Sequence, residues 1–126
     1  MWTIKSESEF AAAHFLTHYH GKCERLHGHN YRVVVWLRGS QLDSGGMLAD
    51  FGLVKAALRT VTGELDHTNL NDNVFFKDDP SAERIAQYIF TRMTEEFPAH
   101  QLDAALLQAV DVYETPINMA RYERPC

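Results

Sequence analysis

The spacing of apolar residues changes twice along the sequence, and this order limits the folds open to the chain. Residues 2–14 and 30–39 are extended in character, and the second segment, NYRVVVWLRG, is rich in the β-branched and aromatic residues that favour strands. Two segments with helical periodicity follow, and residues 106–115 and 117–123 are again extended, with a tight turn predicted at Pro116. The order β-β-α-α-β-β predicts an α+β fold in which a helix pair covers one face of a four-stranded antiparallel sheet.

Two helices are predicted between the strand pairs. Asp50 is a candidate N-cap for the first helix, which we expect to end at Gly63. Pro80 opens the second helix and Pro98 closes it. The apolar stripes are Leu53, Val54, Ala57, Leu58 and Val61 in the first helix and Ala82, Ile85, Ala86, Ile89, Met93 and Phe97 in the second. Each stripe can pack against a sheet.

The length and composition are typical of one globular domain. A chain of 126 residues is long enough for one core and short for two, so we expect a single domain over residues 1–126. Hydrophobic residues make up 45% and charged residues 23%, which excludes a disordered or fibrous chain. No membrane span is expected. The start, MWTIKSESEF, lacks the basic and apolar segments of a signal peptide, so we expect a cytoplasmic protein.

The net charge of -5 argues against general nucleic-acid binding, since such proteins normally carry a basic stripe. A small anionic ligand held by a local cluster of positive charges is compatible with this charge. Two cysteines, Cys23 and Cys126, are no disulfide framework in a reducing compartment, so each is considered as a thiol. Cys126 is interpreted as a free terminal thiol.

The stretch CERLHGHNY, residues 23–31, gathers a thiol and two imidazoles at the start of the second strand. On extended chain, the two-residue spacing of His27 and His29 puts both rings on one face. His14 ends the first strand and would lie beside them if the two strands pair as a hairpin. Three neutral histidines suit Zn2+, and a three-ligand site leaves a position for water or substrate. His-x-His alone is a weak signal, which the third histidine and the thiol strengthen.

The role of Cys23 stays open on the residues alone. It could be a fourth zinc ligand, which would make the site structural, a nucleophile or base, or an inert residue. If Cys23 stays unligated near a zinc cation and His67, its pKa should fall and its thiolate could take a proton at neutral pH. His18, His20 and His100 are interpreted as surface histidines, although His18 and His20 are close enough in sequence to be a spare ligand or a substrate contact.

The segment GELDHTNLND places Asp66 next to His67 between the two helices. Such a pair is often only a turn and a cap. The functional alternative is an acid-base unit in which the carboxylate orients and charges the imidazole.

Glu114 ends a row of apolar side chains, because it shares a strand face with Val110 and Val112. A carboxylate there is unfavourable unless it reaches solvent or meets a partner. The alternatives are a solvated strand-end residue and an anchor for a ligand with two parallel N–H donors, such as the edge of a guanidine-like heterocycle.

Six segments in this order resemble the 6-pyruvoyltetrahydropterin synthase and 6-carboxytetrahydropterin synthase superfamily: FAAAH, CERLHGHNY, LADFGLVKAAL, LDHTNLND, SAERIAQYI and VYET. The resemblance covers nearly the whole chain. It implies the tunnelling fold, assembled as a homo-oligomer such as a hexamer built from two trimers, with active sites between subunits. It also implies site roles: His14, His27 and His29 as zinc ligands, Cys23 as catalytic base, Asp66 and His67 as a proton-transfer pair, and Glu114 as the pterin anchor.

The three residues between Cys23 and His27 resemble the bacterial 6-carboxytetrahydropterin synthase branch of this superfamily, which belongs to the queuosine pathway. The implied reaction converts 7,8-dihydroneopterin triphosphate to 6-carboxy-5,6,7,8-tetrahydropterin, acetaldehyde and triphosphate. Two alternatives are the 6-pyruvoyltetrahydropterin activity and a non-catalytic zinc-binding protein in which Cys23 closes the site.

Two features of the implied substrate site stay open. Lys22, Arg25 and His20 could supply positive charge for the triphosphate, or could belong to a solvated loop. Ala82 stands where relatives often have a hydroxyl residue near the pterin, and Ser81 is the candidate to replace it.

Overall fold

The computed structural model describes residues 1–18, 25–77 and 79–125, and these residues form a five-stranded sheet with two α-helices. The elements are β1 Trp2–His14, β2 His27–Gly39, α1 Phe51–Leu65, β3 Thr68–Asn69, α2 Ala82–Glu96, β4 Leu107–Tyr113 and β5 Met119–Glu123. The strand order is β3-β1-β2-β4-β5. The predicted α+β class and the order of the four long strands and two helices are confirmed. The count of four strands was wrong, because the two-residue strand β3 pairs in parallel with β1.

Strands β1 and β2 form the predicted hairpin. They pair antiparallel without interruption from Trp2 opposite Gly39 to His14 opposite His27. Strand β2 therefore begins at His27 and not at residue 30 as predicted. Glycine has low strand preference, but pairing with β1 extends the strand over Gly28 and both flanking histidines, since context often overrides local preference in sheets.

The first helix is capped as predicted and ends later than predicted. The carboxylate of Asp50 accepts a hydrogen bond from the Gly52 N–H at 2.7 Å. The helix continues through Gly63 to Leu65. Glycine inside a helix costs about 1 kcal/mol relative to alanine. The fully buried Leu65 side chain offsets this, since burial of a leucine contributes about 1.5–3 kcal/mol.

The second helix begins two residues after Pro80, the residue predicted to open it. Ser81 is the N-cap, and its side chain accepts a hydrogen bond from the Arg84 N–H at 3.3 Å. Helix α2 ends at Glu96, and a single 3-10 turn that contains Pro98 follows it. Proline thus stands just outside both ends of the helix, where its missing N–H costs no helical hydrogen bond.

Both helices pack on one face of the sheet, as predicted. Helix α1 packs against β1, and α2 packs against β4 and β5. The core between these layers includes Phe10, Tyr31, Val33, Val35, Leu58, Ile85, Ile89, Met93 and Val112. Among the described residues, no helix has the length and apolar character needed to cross a membrane.

The opposite face of the sheet carries a polar network across four strands. Asp111 is almost fully buried and accepts hydrogen bonds from Trp36 Nε1 at 2.7 Å and from Arg121 Nε at 2.7 Å. Beside it, Arg32 donates to Glu7 at 2.8 Å. The carboxylates of Asp111 and Glu7 on this face are therefore each paired with an arginine.

Candidate functional site

The hairpin register brings His14, His27 and His29 together. His14 pairs directly with His27, and His29 pairs with Ala12, two residues before His14 on the same face. The ring centroids lie 4.5 Å apart for His14 and His27, 5.1 Å for His14 and His29, and 4.8 Å for His27 and His29. One candidate ligand atom from each ring lies within 4.8 Å of the other two.

Main-chain carbonyls fix the orientation of two of these rings. Nδ1 of His14 lies 2.8 Å from the Pro80 oxygen, and Nδ1 of His27 lies 2.7 Å from the Arg25 oxygen. A carbonyl can only accept, so each Nδ1 carries the hydrogen and each neutral ring presents a lone pair on Nε2. The two Nε2 atoms lie 2.9 Å apart. Two lone pairs repel at this distance, and a metal ion between them would remove the repulsion.

The third ring leaves a buried nitrogen without a partner. Of the buried side-chain nitrogen and oxygen atoms in the described residues, Nε2 of His29 is the one without a hydrogen-bond partner. Burial lowers the pKa of His14 and of His29, and outweighs the nearby carboxylate of Glu114, which acts in the opposite direction. Neutral imidazoles with free Nε2 atoms are ligands that zinc prefers, so the donor set fits this metal.

Glu114 lies beside the cluster. It follows the last residue of β4, one position beyond the strand on which it was expected. Its Oε2 atom is 3.7 Å from Nε2 of His14, and its Oε1 atom is 3.6 Å from Nε2 of His29. The side chain is 28% exposed, so it is neither a solvated strand end nor a fully buried charge.

A cleft of about 270 Å³ opens next to His14 and Glu114. The start of α2, residues 81–83, and residues 118–120 at the start of β5 line its other sides. Ser81 and Ala82 both lie in this lining, and the Ser81 hydroxyl also caps the helix. The cleft gives a ligand access to His14 and Glu114 together.

Asp66 and His67 form a hydrogen-bonded pair at the outer side of β1. His67 Nδ1 lies 2.9 Å from the Asp66 carboxylate, whose other oxygen accepts the Ala11 N–H at 2.9 Å. The Ala11 hydrogen bond is the main reason that the pKa of Asp66 is lowered, and His67 adds to it. The His67 main chain is left-handed, with φ of 59°, and its N–H donates to the Ala11 oxygen at 2.6 Å.

The structure does not bring this pair to the histidine cluster within one chain. The His67 side chain is 83% exposed, and among the described residues its polar contact is with Asp66 alone. The pair also ends α1, since the Asp66 N–H donates to the Thr62 oxygen at 3.0 Å. Asp66 and His67 can therefore both end the helix and form an acid-base unit.

Only some of the other candidate residues lie in the described part of the chain. Cys23, Lys22, His20 and Cys126 lie outside the described residues. Arg25 is exposed and contributes its carbonyl to His27. His100 was interpreted as a surface histidine, but its side chain is only 19% exposed and contacts Glu96 at 3.1 Å.

Sequence reasoning missed the segment before α2. The Asp79 carboxylate accepts hydrogen bonds from Thr17 N at 2.8 Å and Thr17 Oγ1 at 3.0 Å, and it also contacts His18 Nδ1. The next residue, Pro80, supplies the carbonyl that orients His14. This segment ties the end of β1 to the start of α2. Its role depends on a main-chain oxygen and a long-range contact, which leave no local signal in a sequence.

Comparison with known proteins identifies the family. The family model for 6-pyruvoyl tetrahydropterin synthase matches residues 3–125. The 6-carboxy-5,6,7,8-tetrahydropterin synthase of Synechocystis is 39% identical over 130 residues, covering 99% of this chain and 95% of that protein. The Bacillus subtilis protein of the same name is 32% identical, covering 94% of this chain and 83% of its own.

The fold agrees with this sequence likeness. The structure of Caenorhabditis elegans 6-pyruvoyl tetrahydropterin synthase matches with a TM-score of 0.86 and 29% identity, covering 98% of this chain and 96% of that one. The chain belongs to the 6-pyruvoyl tetrahydropterin synthase family.

Proposed function

We propose that this protein is a zinc-dependent 6-carboxytetrahydropterin synthase. It would convert 7,8-dihydroneopterin triphosphate to 6-carboxy-5,6,7,8-tetrahydropterin, acetaldehyde and triphosphate, as a step in queuosine biosynthesis. The observation that carries the proposal is the convergence of three imidazole Nε2 atoms beside Glu114 at one end of a cleft. The names of the two bacterial relatives support the carboxy product over the pyruvoyl product.

In this proposal His14, His27 and His29 hold the metal. When bound, zinc supplies a Lewis acid that stabilises negative charge developing on the oxygens of the substrate side chain. The carbonyls of Pro80 and Arg25 keep two of the rings in the tautomer that a metal requires.

Glu114 positions the substrate. A carboxylate can accept two parallel N–H bonds from the pterin edge, and such charge-assisted pairs fix orientation as well as adding affinity. Its place at the cleft next to His14 would hold the reacting side chain close to the three histidines. Glu114 would thus contribute to catalysis by orienting the substrate, and orientation can account for a large share of a rate enhancement.

Cys23 and His67 move protons on opposite sides of the substrate in this proposal. Asp66 accepts the hydrogen on Nδ1 of His67, so Nε2 of His67 is the atom that exchanges a proton with substrate. The exposure of His67 and its separation from the cluster support a site completed by a second copy of the chain. A homo-oligomer, such as a hexamer, would bring His67 of one chain to the histidines of another.

The product distribution tests this function. Purified, zinc-loaded protein is incubated with 7,8-dihydroneopterin triphosphate, and the pterin and aldehyde products are identified by mass spectrometry. We expect 6-carboxytetrahydropterin with an equal amount of acetaldehyde. A 6-pyruvoyltetrahydropterin product without acetaldehyde would replace the proposal with the sister activity, which the likeness to the Caenorhabditis elegans structure favours.

A Cys23→Ala variant separates an enzyme from a zinc-binding protein without activity. The enzyme proposal requires that zinc is retained and that turnover is lost. Weaker zinc binding together with an unstable fold would instead identify Cys23 as a fourth ligand of a structural site.

A further inference from the structure

The orientation of the His14 ring depends on the main-chain carbonyl of Pro80. The His14 side chain is 1% exposed, and its Nδ1 atom lies 2.8 Å from the Pro80 oxygen. The Tyr31 hydroxyl lies farther from this nitrogen, at 3.3 Å, and a hydroxyl can either donate or accept. A carbonyl can only accept, so Pro80 is the residue that keeps the hydrogen on Nδ1 and the lone pair on Nε2. A shift of this carbonyl would release the ring from that tautomer.

The main chain around Pro80 has little freedom. The Asp79 N–H donates to the Phe76 oxygen at 3.0 Å, and the Asp79 oxygen accepts the Ser81 N–H at 2.9 Å. The proline ring fixes its own φ and favours an extended conformation for the residue before it. A contact that holds Asp79 therefore also holds the Pro80 carbonyl.

The Asp79 carboxylate joins this segment to the chain that leaves β1. Its Oδ1 atom accepts hydrogen bonds from the Thr17 N–H at 2.8 Å, from the Thr17 hydroxyl at 3.0 Å and from the His18 N–H at 3.3 Å. Its Oδ2 atom contacts Nδ1 of His18, whose side chain is 82% exposed. Hydrogen bonds to an ionised acceptor are roughly twice as strong as neutral ones, so Asp79 is well suited to hold residues 17–18.

Asn71 fixes the same stretch of chain one residue after His14. Its side-chain oxygen accepts the Phe15 N–H at 2.8 Å, and its side-chain nitrogen donates to the Phe15 oxygen at 2.9 Å. The chain after β1 is therefore held at two points. Asn71 fixes the main chain next to His14, and Asp79 fixes the distance from this chain to the carbonyl that orients the ring.

We propose that Asp79 is a positioning residue of the metal site, which holds the Pro80 carbonyl against Nδ1 of His14 through its hydrogen bonds to Thr17. This inference rests on the proposed function and adds a residue that supports the site without binding the metal. Without the carboxylate, the Pro80 carbonyl could move away from the ring, and His14 would present Nε2 to the metal less often.

Co2+ binding tests the inference without any measurement of turnover. The visible spectrum and the Co2+ affinity are recorded for the wild type, Asp79→Ala and Asp79→Asn, and urea unfolding measures the stability of each metal-free protein. Asp43→Ala is the matched control, because the Asp43 carboxylate also accepts main-chain hydrogen bonds. These come from Gly45 at 2.8 Å and Met47 at 3.0 Å, in the connection between β2 and α1.

We expect Asp79→Ala to change the cobalt spectrum and to lower the Co2+ affinity by about 10–100-fold, as is typical of groups that support metal ligands. Asp79→Asn should bind Co2+ nearly as the wild type does, because an amide oxygen can still accept the hydrogen bonds from Thr17. Asp43→Ala should lose stability and keep the wild-type spectrum and affinity. This combination separates positioning of His14 from a general loss of stability.

If Asp79→Ala does not fold, Thr17→Val takes its place, since it removes only the hydroxyl bond to Asp79 and should give a smaller loss in the same direction. Wild-type Co2+ binding in the folded variant, or an equal loss of affinity in Asp43→Ala, would overturn the inference and leave the proposed function standing. A loss in Asp79→Asn as large as in Asp79→Ala would also overturn it, because the bonds to Thr17 would not be the cause. No Co2+ binding by the folded wild type would remove the histidine metal site, and with it the proposed function and this inference.

Discussion

The Nε2 atoms of His14 and His27 lie 2.9 Å apart, and the Nδ1 atom of each ring is turned to a main-chain carbonyl. This contact follows from the hairpin, in which the two residues are a direct cross-strand pair. Directly paired side chains in antiparallel strands have Cβ atoms about 4.5–5.5 Å apart, which is close enough for imidazoles to share an ion. Without a metal ion, the same contact opposes folding.

Removal of the metal should therefore lower thermal stability. If zinc binds only the folded chain, free zinc at 100 times its dissociation constant stabilises the fold by about 2.7 kcal/mol. Scanning calorimetry of chelator-treated protein, with and without added zinc, measures the difference. The shift should disappear in His29→Ala and persist in His100→Ala, because His100 contacts Glu96 and not the cluster. A shift that survives in His29→Ala would place the stabilising ion elsewhere.

The metal-free protein should lose stability as the pH falls from about 6.5 towards 5. Burial lowers the pKa of His14 and His29 below the ordinary 6.5, so the unfolded chain binds more protons than the folded chain in this window. Stability then rises with pH, and its gain is complete above 6.5. Asp66 and Glu7 also have lowered pKa values, but their contributions are lost at lower pH, because their ordinary values are 3.8 and 4.5.

Urea unfolding of chelator-treated protein between pH 5 and 8 measures this dependence. His29→Ala removes one of the two histidines and should give a shallower slope. A free energy of unfolding that is constant, or that increases on acidification between pH 6.5 and 5, would contradict the assignment of neutral imidazoles in the fold.

Replacement of His67 by glutamine should reduce turnover and leave zinc in place. His67 makes its side-chain hydrogen bond with Asp66 and has no contact with the three histidines within the described chain. Loss of a general acid or base typically costs about 10²–10⁴-fold in rate. Turnover of 7,8-dihydroneopterin triphosphate and zinc content are measured together, with His14→Ala as the comparison that should lose both. Unchanged turnover in His67→Gln would exclude the proton-transfer role.

Asp111 should be important for stability although it lies on the face of the sheet opposite the helices. It is 1% exposed and accepts hydrogen bonds from Trp36 and Arg121. Asp111→Ala leaves the indole N–H of the partly buried Trp36 without its acceptor, and an unsatisfied buried donor costs about 1–3 kcal/mol. Arg121→Ala should cost more, because it leaves the buried Asp111 carboxylate without its counter-charge, and the loss of one partner of a buried ion pair costs about 3–5 kcal/mol. Denaturant unfolding ranks the two variants, and a greater loss for Asp111→Ala would refute this explanation.

Much of the fold could be predicted because apolar spacing reports which face of each element is buried. The stripes of α1 and α2 and the hairpin of β1 with β2 follow from periodicity. Strand β3 could not be predicted in this way. Its two residues, Thr68 and Asn69, have no periodicity of their own and depend on the adjacent edge of β1.

The candidate site was predictable in part for the same reason. The two-residue spacing of His27 and His29, with His14 at the end of the preceding strand, is enough to place the three rings on one face. Glu114 lies close to the histidines because β4 is the neighbour of β2 in the sheet. This strand order cannot be predicted from local sequence. The carbonyls of Pro80 and Arg25 belong to the main chain, so side-chain patterns do not indicate them.

X-ray absorption at the zinc edge of the loaded, substrate-free protein tests the metal site most directly. The proposed function predicts a shell of light atoms, three of them imidazole nitrogens, at about 2.0–2.1 Å. It predicts no sulfur, because in that proposal Cys23 transfers a proton and does not bind the metal. A sulfur neighbour at about 2.3 Å would contradict the open catalytic site and make Cys23 a structural ligand.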